Sequence, residues 1–377
     1  MAGMLSGIRV LALENLIAGP YGSMILGDLG AEVIKIEPPE GDLSRGWTEF
    51  THRGESYYYL AFNRNKKSLV LDLGTKSGRE AFHDLVKISD VVWDNFRPGV
   101  MERLSADYET LKRINPKIIC CSVTGYGSSG PYRDRSSYDL IVQAMSGIMS
   151  ITGEPGRPPV RCGPPITDLA AGMFGAHGVM AALYAREQTG KGQRIDVSLL
   201  DSAISLLSYY VSYYSCSGLV PGPLRAGHFS VVPYQVYDTK EGHIAIGFGW
   251  PGLAKALGLD EMIDDPRFKD RQSRIEHREA FDALVEQALG KAKAEDWLAI
   301  LNQNDVPCGL VNNIAEALAD PQVLHRNMIL SMEHPLGGEI KIAGSPIKTP
   351  KSQQEEYAPP PVLGQHNEEI LNGLLGY

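Results

Sequence analysis

The stretch IRVLALENLIAGPYGSMILGDLGAEVIKIE, residues 8–37, decides the fold. Ile8–Glu14 is a short, largely apolar run that reads as a buried strand. Pro20 to Leu29 reads as a helix stopped at Gly30, and Ala31–Glu37 as a second strand closed by Pro38-Pro39. The alternation continues downstream. Ser68–Leu73, Val91–Asn95, Ile118–Val123 and Gln193–Leu199 have strand character, with a helix from about Lys76 to Lys87. Strands alternating with helices predict an α/β fold built on a mostly parallel, doubly wound sheet.

Ligands of such sheets sit outside the C-terminal ends of the strands. Four loops rich in Gly, Pro or Asn then become candidates: Asn15–Gly19, Glu37–Asp42, Asn95–Gly99 and Thr124–Gly130. The spacing in LIAGPYG is not G-x-G-x-x-G, so the dinucleotide fingerprint is absent.

Further along, an aromatic helical stretch to about Tyr214 is followed by a linker, Ser217–Leu224. Tyr234–Thr239 and His243–Phe248 predict a hairpin, and helices are expected near 277–289 and 294–304. The predicted organisation is a large domain over 1–221, a smaller α+β domain over 222–325, and a segment 326–377 that returns to the first domain.

The chain has 377 residues, of which 43% are apolar and 21% charged, the profile of a globular protein with a sizeable core. Its net charge of -9 argues against nucleic acid as a partner, although Arg64–Lys67 offers a local patch for an anionic ligand. No basic segment followed by a long apolar one opens the sequence, which predicts no secretory signal. The apolar run Leu169–Ala185 is broken by His177 and rich in glycine, a poor membrane span. Five cysteines without C-x-x-C spacing suit a reducing cytoplasm and no zinc site.

Motifs for a serine nucleophile elbow, a phosphate-binding P-loop and a zinc-protease helix are all missing. His177, alone in an apolar helix, reads as a core residue. Carboxylates remain as nucleophile or base. One stands out in GPPITDLAAGMFGAHG, residues 163–178, where Asp168 opens an apolar run of small residues. Asp is a preferred helix N-cap, and it is also a nucleophile when held in a tight, dry site. Composition and periodicity leave both roles open.

Eight stretches carry a resemblance over nearly the whole chain. They are LSGIRVLALENLIAGPYGSMILGDLGAEVIKIEPPEGD, FNRNKKSLVLDL, DNFRPGVMERL, TGYGSSGPY, TDLAAGM, TGKGQRIDVSLLDS, VPCGLV and PVLGQHNEEIL. In this order they resemble the class III CoA-transferases of the formyl-CoA and carnitine type, a family that also contains the α-methylacyl-CoA racemases. The resemblance implies a Rossmann-like large domain and a smaller one, in a homodimer of ring-shaped chains interlocked like links. It implies that Asp168 attacks an acyl-CoA thioester to form a mixed anhydride and then an aspartyl-CoA thioester, from which an acceptor acid takes CoA. CoA and acyl-CoA would be substrates, with no resident cofactor or metal. CoA contacts would come from Ile17 and Ala18, from Leu71, Asp72, Leu73 and Gly74, from Asn95, Phe96 and Arg97, and from Arg103 and Arg135.

Departures from the formyl-CoA transferase pattern narrow the acids. Ile17 stands where that pattern has Gln, Pro38 where it has a basic residue and Gly74 where it has Lys, and the glycine run over the intermediates is missing. The segment Leu224–Tyr234 resembles relatives that handle short dicarboxylic acids, with Arg225 or His228 as candidates for the acceptor carboxylate. Two alternatives stand beside transfer. A racemase would need a His-Asp pair where this chain has Tyr138-Asp139, and a hydrolase would use the same anhydride.

Overall fold

The structure, a computed structural model, describes residues 3–47, 49–349 and 357–377. The chain forms two compact units: 1–148 with 162–217 and 321–377, and 149–161 with 218–320.

The larger unit is built on a six-stranded sheet. Its strands are β1 (Arg9–Leu13), β2 (Glu32–Glu37), β3 (Lys66–Val70), β4 (Val91–Asp94), β5 (Ile119–Thr124) and β6 (Arg194–Ser198). Every pairing is parallel and the order is β3-β2-β1-β4-β5-β6, a doubly wound arrangement. Strand β1 shows why the sequence folds this way. Val10 and Ala12 face one side and Leu11 and Leu13 the other, and none is more than 1% exposed. Helices α1 (Ala18–Asp28) and α4 (Ile166–Thr189) cover the first face, and α2 (Lys76–Lys87) covers the second.

Glycines set the distance between α1 and α4. A Cβ on Gly22 would lie 2.3 Å from the Trp93 ring and 2.7 Å from the Gly172 carbonyl oxygen. By length and composition α4 is apolar enough to cross a membrane, but half of its most apolar window is buried inside the fold.

The third strand starts at Lys66, two residues before the expected Ser68, and a buried carboxylate neutralises that lysine. The Lys66 ammonium lies 2.7 Å from Glu14 Oε1, both side chains fully buried. The same pairing removes Arg64–Lys67 as an anion site. Arg64 is paired to Asp28 at 2.6 Å, and Lys67 to Glu32 and Glu369 at 2.7 Å each. Strand β3 is also an edge, and the C-terminal segment covers it. Its Ser68 and Val70 N–H groups donate to His366 Nδ1 and Asn367 Oδ1, at 3.1 and 2.9 Å.

In the smaller unit, Tyr234–Asp238, His243–Gly247 and Cys308–Leu310 make an antiparallel sheet. Phe268, Phe281 and Tyr237 fill its core against the helix Arg278–Leu289. Residues 149–161, expected in the first domain, belong here. One tie is the Arg225 N–H, which donates to the Gly153 carbonyl at 2.9 Å.

Candidate active site

In the order β3-β2-β1-β4-β5-β6 the winding reverses between β1 and β4, so the loops after those two strands open a crevice. A cleft of about 310 Å³ lies there. Its walls are Asn15–Ala18 after β1, Leu43 and Trp47 after β2, and Asn95–Pro98 after β4. Arg133, Arg135, Ser137 and Tyr138 lie between β5 and α3 (Asp139–Ser146), and Asp168 comes from α4.

The two principal walls are fastened to each other. Asn95 Oδ1 accepts from the Asn15 N–H at 2.9 Å, and its Nδ2 donates to the Asn15 carbonyl at 2.9 Å. Asn95 therefore spends its amide as a backbone partner, and its part is to hold the loop. Gly19 must be glycine here, since a Cβ would meet the Asn95 carboxamide at 2.8 Å.

Asp168 is not the helix cap. The helix starts at Ile166 after Pro165, which puts Asp168 third in its first turn. The capping carboxylate comes from α3 instead. Asp139 Oδ1 accepts from the Thr167 N–H at 3.0 Å and the Thr167 hydroxyl at 2.8 Å, and Gln143 Nε2 donates to its Oδ2 at 2.7 Å. Asp168, with its cap function taken over, has no hydrogen-bond partner among the described residues. Burial, and then the negative charge of Asp139, push its carboxyl up to about 7.

Asp94 at the end of β4 is also raised to about 7 by burial, but it is closed off. Only 3% of it is exposed, and Ser122 Oγ and the Phe96 N–H donate to it at 2.6 and 3.2 Å. Of the two carboxyls, only Asp168 faces the cleft without partners.

Arg97 and Arg135 are exposed in the cleft wall, and the Arg135 guanidinium stacks 3.9 Å over the Tyr132 ring. Two guanidinium groups suit an anionic ligand. Of the residues expected from the sequence, the structure gathers Ile17, Ala18, Asn95, Phe96, Arg97 and Arg135 around Asp168. Leu71–Gly74 and Arg103 do not line this cleft, although the loop after β3 lies on the same edge of the sheet. There the Asp72 carboxylate is occupied by the Gly74 N–H at 2.8 Å. Trp47, Arg133 and Ser137 were not anticipated, because nothing local marks them. His177 is exposed, against the expectation of a core residue. With Met173 and Met180 it lines an apolar cavity of about 870 Å³, since that face of α4 turns away from the sheet.

A doubly wound sheet with a raised carboxyl and two arginines at its switch point defines an α/β protein whose cleft suits an anionic ligand. The profile of CoA-transferase family III matches residues 5–367, and the chain belongs to that family. It is an enzyme that transfers CoA, with CoA thioesters as substrates.

Among its relatives is a Homo sapiens protein named succinyl-CoA:glutarate CoA-transferase, 38% identical over 99% of this chain and 86% of that protein. An Acetobacter aceti protein named acetyl-CoA:oxalate CoA-transferase is 40% identical over 92% of this chain and 89% of its own length. The crystal structure of a CAIB/BAIF family protein from Brucella suis superposes with a TM-score of 0.88 at 35% identity, covering 99% of this chain and all of that one.

Proposed function

We propose that the protein moves CoA from an acyl-CoA thioester to a short dicarboxylic acid, with Asp168 as the nucleophile. The observation that carries this reading is the position of Asp168, an unpartnered carboxyl at a helix start, in a cleft walled by Ile17, Ala18, Phe96, Arg97 and Arg135. Relatives named for succinate, glutarate, mesaconate and citramalate support a dicarboxylic acid in at least one role.

An ionised Asp168 oxygen attacks the thioester carbonyl, the C–S bond breaks, and CoA leaves as thiolate, giving a mixed anhydride. The thiolate attacks the aspartyl carbonyl and expels the donor acid as its carboxylate, leaving aspartyl-CoA. The acceptor carboxylate attacks that thioester and forms a second anhydride. The released thiolate then attacks the acceptor's acyl carbon, making the new acyl-CoA and regenerating the Asp168 carboxylate. No proton and no water is consumed, so the site must keep water out.

Arg97 and Arg135 bind the phosphates of CoA in this reading, and Ile17 and Ala18 meet its pantetheine arm. Leu71–Gly74 and Arg103 extend the CoA surface along the same strand edge. The working form is an interlocked homodimer. Five cysteines without C-x-x-C spacing agree with a cytoplasmic location.

Racemisation is disfavoured by Asp139, which is occupied in capping α4, and by Tyr138 at the position of the expected base. The test is chemical. Succinyl-CoA is added, the reaction is quenched with hydroxylamine, and peptides are searched by mass for an Asp168 hydroxamate. The label should appear in the native protein and vanish in Asp168→Asn. Its absence across a panel of acyl-CoAs, with CoA binding intact, would overturn covalent transfer.

A further inference from the structure

Beneath the cleft, β1, β2, β3 and the loop after β2 bring six charged side chains together. Glu14, Glu37 and Asp42 supply three carboxylates, and Lys35, Lys66 and Arg45 three cations. Lys35 Nζ lies 2.7 Å from Asp42 Oδ2 and 3.5 Å from Glu14 Oε1, all with fully buried side chains. Arg45 grips Glu37 with two nitrogens at 2.8 and 2.9 Å. Well-packed aliphatic side chains would hold a fold about as well, since a buried ion pair recovers little beyond its desolvation cost.

What aliphatic side chains cannot do is bind backbone. These groups bind it at Ser44 and Pro361, and at three points of one segment after β1. Lys35 Nζ donates to the Glu14 carbonyl at 3.3 Å, and Lys66 Nζ to the Pro20 carbonyl at 2.9 Å. Between those two points, Asp42 Oδ1 accepts from the Leu16 N–H at 3.2 Å. Leu16 has φ +65°, in the left-handed region, which a leucine adopts only where surrounding contacts enforce it. The residues between the tie points, Asn15 to Ala18, are a wall of the cleft.

We propose that this neutral ionic network is a positioning device for CoA binding, with Asp42 the residue that sets the wall after β1 through the Leu16 N–H. The proposal rests on the reading of the cleft as the CoA site. Asp42 touches no substrate. It acts through Leu16, Ile17 and Ala18, so its loss is expressed in affinity for CoA and not in the anhydride chemistry of Asp168.

Two matched variants test it: Lys35→Met/Asp42→Asn and Lys35→Met/Asp42→Ala. Both remove the same ion pair, but only Asn keeps an acceptor for the Leu16 N–H at 3.2 Å and for the Ser44 N–H at 2.8 Å; Ser44→Ala, which loses only the hydroxyl bond to the same oxygen, is measured beside them. Binding of free CoA is read by titration calorimetry, beside KM, kcat and the melting temperature. The Ala variant should bind CoA about tenfold more weakly than the Asn variant, with KM rising in step and kcat nearly unchanged. Equal affinity in the two, within about twofold, overturns the proposal.

Should the Ala variant not fold, Glu14→Gln/Lys66→Met keeps charge balance and volume while releasing the Pro20 carbonyl. Weaker CoA binding by that folded variant upholds the network's hold on this wall, and native affinity overturns it. If the native protein shows no Asp168 hydroxamate while these affinities change as stated, the aspartyl mechanism has failed and the positioning role stands.

Discussion

Asp139 and Asp168 stand at the same helix end with divided duties. Asp139 accepts from the Thr167 backbone and hydroxyl and so caps the helix, while its charge, added to burial, holds the Asp168 carboxyl at about 7. The division releases Asp168 from the role its position in the sequence suggests. It also leaves Asp168 an acid that ionises near neutral pH.

Transfer should therefore rise with pH through about 7, as Asp168 becomes a carboxylate. Replacing Asp139 by Asn removes the like charge and should move this limb of the kcat/KM profile to lower pH. Rates from pH 5 to 9 for the native protein and Asp139→Asn decide it. An unmoved limb would mean that Asp139 does not set the ionisation of Asp168.

Asp168→Asn should abolish transfer, with a loss of at least about 10³-fold in kcat. Stability should respond in the opposite direction. The folded carboxyl has its pKa raised from 3.8 to about 7, so the folded state holds the proton more tightly than the unfolded one. The native protein therefore loses stability as pH rises across that window, and the variant lacks this loss. Melting temperatures should match near pH 4 and diverge in favour of Asp168→Asn by pH 8.

Adjacent lysines should differ sharply. Lys66→Ala leaves Glu14 buried without its closest cation and should cost about 3–5 kcal/mol. Lys67 is about one-third exposed, and Lys67→Ala should cost about 1 kcal/mol or less. Urea unfolding of the two variants checks this, and similar midpoints would contradict the buried network.

Arg97→Ala and Arg135→Ala should each raise KM for acyl-CoA about tenfold with kcat nearly unchanged, because a charged contact to a phosphate adds binding energy in ground state and transition state alike. The KM of the native enzyme should also rise with salt more steeply than that of either variant. A fall in kcat at constant KM would place these arginines in the chemistry instead.

Gly22→Ala should destabilise the larger unit by about 1–3 kcal/mol, since its Cβ would meet the Trp93 ring at 2.3 Å. Thermal unfolding followed by tryptophan fluorescence reads it directly.

Local pattern was enough for much of this. The helix Lys76–Lys87 was read to its ends, and β1, β2 and β4 within a residue or two, because apolar runs and helical periodicity are properties of neighbours in sequence. The loops after β1 and β4 were legible because parallel strands point every C-terminal loop to one edge, whereas Asp168 was marked by its place before a small-residue run and by the family resemblance. The charged residues were not. Arg64–Lys67 reads as a basic patch until Asp28, Glu14 and Glu32 are found against it, and Lys66 is 52 residues from Glu14.

By itself, then, the sequence determined the α/β architecture and the strand edge that carries the cleft, and it marked Asp168 as a candidate there. Tertiary structure alone decided what each polar group is free to do. Asn95 is spent on the Asn15 backbone, Asp139 is spent on the helix cap, and Asp168 is left open to the cleft. The reason is that a buried polar group takes its role from its partners, and folding brings those partners from distant parts of the chain.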